Sequence, residues 1–288
     1  MTRLLAASLL ALVAGCSPLQ TFNRLVPKDG SVSLVVGDQP FRAGPRGRLD
    51  LYAPRAGRPG ARLPVIMFFY GGSWSSGAKE GYAFVGRALA AQGFLVAIAD
   101  YRLVPQVRYP IFLEDSAAAV RWVRANAGRF GGDGERIVLA GHSAGAYNAA
   151  MLALDERWLG ADRVAIRGFA GLAGPYSFLP LDIPATRAAF EQATDLNATQ
   201  PVTHAGRGDP PSLLLVAERD SLVHPRNAQQ LAAALTKGGV AVETRTYPKV
   251  GHIGIVTAFA KPFRGRAPVV RDLAGFARRV TETTSTAP

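Results

Sequence analysis

The stretch Arg136 to Ala150, RIVLAGHSAGAYNAA, limits the possible fold more than any other part of the chain. Ile137, Val138 and Leu139 form a short apolar run, as in a strand covered on both faces. Ala144 to Leu154 is rich in alanine and other apolar residues, as in a buried helix. Between them stands Gly141-His142-Ser143-Ala144-Gly145, a G-x-S-x-G. A strand that turns directly into a helix strains the serine backbone. It also brings the flanking positions against neighbouring chain, where side chains would clash. The serine oxygen is then raised at the strand end, with a helix N-terminus behind it. The pentapeptide by itself also describes an ordinary small-residue turn. A strand before it and a helix after it favour a nucleophile, which needs a base, an acid and oxyanion donors from elsewhere in the chain.

The flanking sequence has the rhythm such a turn requires. Strands are predicted at Val32 to Val36, Leu49 to Tyr52, Leu63 to Tyr70, Phe94 to Ala99, Val164 to Leu172, Ser212 to Ala217 and Val240 to Tyr247. Helices are predicted at Gly81 to Gln92, Phe112 to Ala127, Pro225 to Lys237 and Val269 to Val280. The alternation implies an α/β fold, a mostly parallel central sheet with helices on both faces. From Gly174 to Pro211 the rhythm breaks, with six prolines and a short helix near Ala185 to Ala193. This insertion is expected to form a small cap. No internal repeat or linker divides residues 31–281, which are read as one domain.

A serine hydroxyl is a poor nucleophile at neutral pH unless a base takes its proton and a third group fixes the tautomer of that base. Four histidines are available. His142 lies inside the turn and points the wrong way, His204 lies in the proline-rich insertion, and His224 precedes Pro225 at a helix start. His252 follows a strand in the glycine-flexed loop Val250-Gly251-His252 and is the candidate base. With this kind of turn the acid falls between serine and histidine in the chain. Asp220, just past the strand Ser212 to Ala217, fits better than Glu218, which is closer to the strand, or than Asp195 and Asp209 in the insertion. Oxyanion donors are expected from the N–H of Ala144 and from Gly71, Gly72 and Ser73, where glycines let backbone approach substrate closely. Trp74 is read as packing. All of these positions follow predicted strands, and open α/β sheets bind ligands at the carboxyl ends of their strands.

Together, Tyr70-Gly71-Gly72-Ser73-Trp74, Asp100-Tyr101-Arg102-Leu103, Gly141 to Gly145, Glu218-Arg219-Asp220 with Val223 and Pro225, and Gly251-His252 resemble the α/β-hydrolase superfamily. Within it they resemble the esterase branch of hormone-sensitive-lipase-like carboxylesterases, kynurenine formamidase and feruloyl or acetyl-xylan esterases. The resemblance covers roughly Leu49 to Val280 and implies a Ser143–Asp220–His252 triad with an oxyanion hole at Gly71, Gly72, Ser73 and Ala144. It departs from the family at Tyr70, where a histidine usually stands. The expected activity is hydrolysis of carboxylic esters with small acyl groups through an acyl-enzyme. The rival readings are an amidase, formamidase or peptidase with the same machinery, and a non-catalytic envelope binding protein.

Other chemistries find little support. No paired histidines or carboxylates have metal-ligand spacing, and there is neither a phosphate loop nor a G-x-G-x-x-G, so no metal or cofactor is expected. The formal charge is +12, but the arginines are scattered without a run or aromatic interleaving, so no nucleic-acid partner is expected. At the N-terminus, Arg3, the apolar run Leu4 to Val13 and the small residues Ala14-Gly15 form a secretory signal pattern over residues 1–15. Val13-Ala14-Gly15-Cys16 resembles the lipobox of bacterial lipoproteins. That resemblance implies a lipid-modified Cys16, a tether over residues 16–30, and a protein exported to the bacterial cell envelope and anchored at a membrane. Residues 282–288 are expected to be a frayed tail.

Overall fold

The structure, a computed structural model, describes residues 18–55 and 62–282. The expected signal segment, Cys16 and the last six residues of the expected tail lie outside them. The element order is α1 (Pro18–Leu25), β1 (Val32–Pro40), β2 (Arg48–Pro54), β3 (Leu63–Phe69), α2 (Ala83–Ala90), β4 (Leu95–Ala99), α3 (Ile111–Asn126), β5 (Gly132–His142) and α4 (Ala144–Leu154). It continues with α5 (Glu156–Leu159), β6 (Ile166–Leu172), α6 (Pro184–Phe190), α7 (Pro201–His204), β7 (Ser212–Ala217), α8 (Arg226–Lys237), β8 (Val242–Tyr247), α9 (His252–Thr257) and α10 (Val269–Thr281).

The strands form one eight-stranded sheet in the order β1-β2-β4-β3-β5-β6-β7-β8. Only β1 with β2 and β2 with β4 pair antiparallel; the pairs from β4 to β8 are all parallel. Side-chain alternation builds two cores from one strand. Val65, Met67 and Phe69 of β3 face a layer that includes Ala117, Val120 and Val123 of α3 and Ala149 and Leu152 of α4. Ile66 and Phe68 face the opposite layer, with Val85 and Leu89 of α2 and Leu273 and Phe276 of α10. Both faces of β3, β4 and β7 are covered, which is why these strands read as unbroken apolar runs. β8, at the sheet edge, is polar and largely exposed.

Two segments differ from their sequence readings. The expected tether contains helix α1, docked on the body of the fold. Phe22 packs edge-on against Phe84 with ring centroids 5.2 Å apart and lies 5.7 Å from Phe263. Asn23 donates to the carbonyl of Glu80 at 2.8 Å and accepts the Phe84 N–H at 3.0 Å, filling the place of a cap at the start of α2. The second difference is His252. It opens helix α9, with Gly251 in extended conformation before it, instead of lying in a loop. Residues 174–211 include short helices: α6 packs Phe190 against Trp74 with centroids 4.8 Å apart, and the Tyr147 hydroxyl donates to the carbonyl of Thr199 at 2.8 Å.

Candidate active site

The turn between β5 and α4 sets the site. Ser143 stands at φ 55° and ψ −124°, a conformation that non-glycine residues adopt only when the surroundings enforce it. The enforcement is steric. A Cβ on Gly141 would come within 2.3 Å of the Gly145 carbonyl oxygen, and one on Gly145 within 2.1 Å of the Phe69 carbonyl oxygen. Both glycines are therefore required by close approach of backbone from the turn itself and from β3. The Ser143 N–H donates to the Leu172 carbonyl at 2.9 Å, tying the turn to β6. With the backbone so held, the side chain is largely enclosed, at 9% exposure.

The structure brings together the three residues singled out for the relay. His252 Nε2 lies 2.8 Å from Ser143 Oγ, and His252 Nδ1 lies 2.7 Å from Asp220 Oδ2. The other oxygen of Asp220 accepts the backbone N–H groups of Leu222 at 2.9 Å and Val223 at 2.8 Å. Burial raises the pKa of this carboxyl, but the hydrogen bond to His252 and the two backbone donors outweigh it, so the net shift is downward. A carboxylate is thus fixed opposite Nδ1, which places the proton on Nδ1 and leaves Nε2 to accept from the serine. Glu218, the competing acid, is exposed.

On the oxyanion side the four expected donors separate. The Gly71 N–H donates to the Tyr82 hydroxyl at 3.0 Å, so Gly71 is corrected from oxyanion donor to loop-positioning residue. The physical reason lies in packing. A Cβ on Gly71 would fall 2.9 Å from both the His142 carbonyl oxygen and Ser143 Cβ, so the loop presses against the turn and its first N–H points into the interior. Among the described residues no protein acceptor takes the N–H of Gly72, Ser73 or Ala144. Gly72 and Ser73 have φ of 138° and 53°, and the Gly72 carbonyl accepts the N–H groups of Ser75 and Ser76, which closes the loop into a tight turn. Ala144 begins α4, where the first N–H groups have no partner within the helix.

A second network supports this loop. Tyr82 Oη accepts from Gly71 and lies 3.2 Å from His142 Nδ1, while His142 Nε2 lies 3.0 Å from the His252 carbonyl oxygen. Burial first, then the neighbouring His252, depresses the His142 pKa to about 3, so this ring is neutral at physiological pH. A consistent proton assignment has Tyr82 donating to Nδ1 and Nε2–H donating to the His252 carbonyl. His142 is therefore not a base; it ties the oxyanion loop to the backbone of His252. Tyr70 is also wholly buried. Its hydroxyl donates to Asp100 at 2.9 Å and accepts from Arg46 at 2.9 Å, and its ring stacks on Tyr101 at 4.7 Å. Burial raises Asp100 to about 6, partly offset by the Lys79 N–H that it accepts. These contacts anchor the loop from below. Trp74 is packed, with its Nε1 donating to Asn148 at 3.2 Å.

His224 and His204 stay out of the relay. His224 is exposed on a cavity wall, and His204 lies near Asp155 and the Ala198 carbonyl. No group of three or more His, Cys, Asp or Glu able to hold a metal occurs among the described residues, and none of their helices is long and apolar enough to cross a membrane. Sequence reasoning missed Tyr82 and the supporting role of His142. It also missed α1, whose Leu19 and Phe22 line a cavity that reaches Ser143.

Comparison with known proteins bears on the whole arrangement. Residues 112–283 match the sequence model of the prolyl oligopeptidase family, and residues 49–165 match that of BD-FAE. Carboxylesterase NlhH of Mycobacterium tuberculosis is 34% identical over 228 residues, covering 71% of this chain and 70% of that protein. A probable isoprenylcysteine alpha-carbonyl methylesterase, ICMEL1, of Oryza sativa is 39% identical over 160 residues, which is 52% of this chain. The chain spans only 35% of the length of that methylesterase and 43% of that of the Arabidopsis thaliana one. Among solved structures, an inhibited esterase B from Lactobacillus rhamnosis superposes with a TM-score of 0.79 over 96% of both chains at 21% identity. A carbohydrate esterase from gut microbiota does so with 0.77 over 89% of this chain and 99% of its own, at 17% identity. At those identities the two structures speak to the fold alone. The family model that covers most of the second half of the chain and the carboxylesterase one-third identical to it place it in one lineage: the chain belongs to the esterase branch of the α/β-hydrolase superfamily.

Proposed function

We propose that the protein is a serine carboxylesterase. The observation that carries the reading is the relay from Ser143 Oγ through His252 to Asp220, at 2.8 and 2.7 Å, beside three backbone N–H groups with no protein acceptor among the described residues. Ser143 Oγ attacks the ester carbonyl while His252 Nε2 takes its proton. The N–H groups of Ala144, Gly72 and Ser73 receive the oxyanion. His252 then protonates the departing alcohol, and the acyl group remains on Ser143. Water attacks the acyl-enzyme by the same route in reverse, with His252 again as base. The test is labelling of purified protein with a fluorophosphonate probe, followed by peptide mapping. Label on Ser143 is expected; an unlabelled protein that turns over no aryl ester would leave the non-catalytic binding reading.

The prolyl oligopeptidase match favours one alternative, amide cleavage by the same residues. Parallel rates on p-nitrophenyl acetate and a matched p-nitroanilide separate the two, with the ester expected to be faster.

The lipobox-like Val13-Ala14-Gly15-Cys16 further supports export and lipid attachment at Cys16, which would hold the protein at a membrane of the bacterial cell envelope. Growth with a tagged fatty acid should label the wild type and not Cys16→Ser. Absence of label on the wild type would remove the anchor.

A further inference from the structure

Two cavities meet at the proposed nucleophile, and they differ in chemistry. Ser73, Ser143, Leu222 and His252 belong to both. One cavity, of about 260 Å³, runs under the cap; its wall includes Phe178 and Ile183 but also carries Ser177, Asp182, His224 and Arg226. Neither Asp182 nor Arg226 is held in an ion pair among the described residues. The other, of about 520 Å³, runs the opposite way, between α1, the glycine loop and α9. Among the described residues its lining has no Asp, Glu, Lys or Arg; Leu19, Phe22, Leu222 and Ile253 are its larger apolar members.

We infer that the apolar cavity walled by α1 is the acyl site, and that the protein prefers esters joining an acyl chain longer than acetyl to a polar alcohol. The inference rests on the serine esterase reading above and extends the small acyl group expected from the sequence. Two arguments assign the arms. An acyl chain stays on the enzyme after the alcohol leaves, and a cavity without charged groups retains it by hydrophobic burial. The deacylating water must enter where the alcohol left, on the path to His252, and the cap cavity with its hydroxyl, carboxylate and guanidinium groups is the one that admits water. The same groups suit a hydroxylated or charged alcohol. Helix α1 is then a specificity element. Asn23 fixes its position against α2, and its Leu19 and Phe22 set how far the acyl cavity extends.

The experiment measures kcat/KM of the full chain and its variants on p-nitrophenyl acetate, butyrate, hexanoate and octanoate, and on an alkyl acetate series in which only the alcohol lengthens. For the wild type, hexanoate should exceed acetate by on the order of tenfold, as expected if about two of its four additional methylenes are fully buried. Leu19→Trp fills the cavity and should bring that ratio to about one or below. Phe22→Ala enlarges the cavity and should move the optimum to octanoate. Circular dichroism checks that each variant is folded, and the two act in opposite directions, so failure of one to fold still leaves a test. A wild-type profile that falls from acetate onward would overturn the inference. So would a ratio insensitive to both variants, or a length dependence confined to the alcohol series. In each of these cases Ser143-dependent acetate turnover would still stand, whereas loss of fluorophosphonate labelling together with acetate turnover would sink the esterase reading itself.

Discussion

Ser143→Ala is expected to lower kcat for p-nitrophenyl acetate by on the order of 10⁴ or more, with little change in fold. The size follows from what remains. Without Oγ no acyl-enzyme forms, and His252 can at most direct a water across the gap the hydroxyl leaves. The proposed oxyanion donors at Gly72, Ser73 and Ala144 stay in place, since their positions depend on backbone contacts of Gly71, Gly72 and Gly145 and not on the serine side chain. Residual activity should therefore remain measurable above the uncatalysed rate. Alanine at 143 must still occupy φ 55° and ψ −124°, as serine does, so backbone strain is common to both proteins and cancels in the comparison. Steady-state kinetics on matched preparations gives the ratio, and thermal unfolding gives the control. A variant within tenfold of the wild type would mean that another nucleophile does the work.

The parts of this site that could be read from the chain share one property: each is announced by a local pattern. The turn at Ser143 has its glycines on either side, and the structure gives the steric reason for both. Asp220 and His252 follow β7 and β8, and the parallel order of the sheet brings those strand ends towards β5 through β6. What escaped was non-local. Tyr82 lies 60 residues from His142, and its hydroxyl removes Gly71 from the oxyanion hole through a contact that no motif records. Helix α1 is eight residues long, with Leu19, Phe22 and Leu25 as isolated apolar positions, a pattern too short to distinguish from a tether. Its docking comes from Asn23 and from Phe84 and Phe263, partners supplied only by tertiary structure. Val250-Gly251-His252 after a strand reads as a glycine-flexed loop, whereas Gly251 in extended conformation leads directly into α9. Tyr70, a departure from the family pattern, finds its explanation only in Asp100 and Arg46.

Asp220→Asn should reduce kcat by roughly 10³ to 10⁴ while leaving KM within a few fold. The two oxygens of Asp220 are not equivalent. One accepts two backbone N–H groups, from Leu222 and Val223, and the other faces His252 Nδ1. An asparagine must therefore turn its carbonyl oxygen to the backbone donors and its NH₂ to the histidine, because the reverse would set NH₂ against two N–H groups. Facing a donor, Nδ1 has to become the acceptor and the proton moves to Nε2. Nε2 then points a hydrogen at Ser143 Oγ and cannot receive the serine proton. The loss is one of tautomer, not of position, so substrate binding is retained. Stability supplies a second readout. The folded-state pKa of Asp220 lies below its ordinary value, so the carboxylate contributes stability above that value, and the contribution disappears as pH falls through the folded-state pKa. The wild type should therefore be the more stable protein at pH 7, with the difference shrinking on acidification below about 4. Urea unfolding followed from pH 7 down to about pH 2 measures this separately from turnover. A kcat loss below tenfold, with the pH-dependent stability difference present, would show that the carboxylate supports the fold but does not set the tautomer of His252.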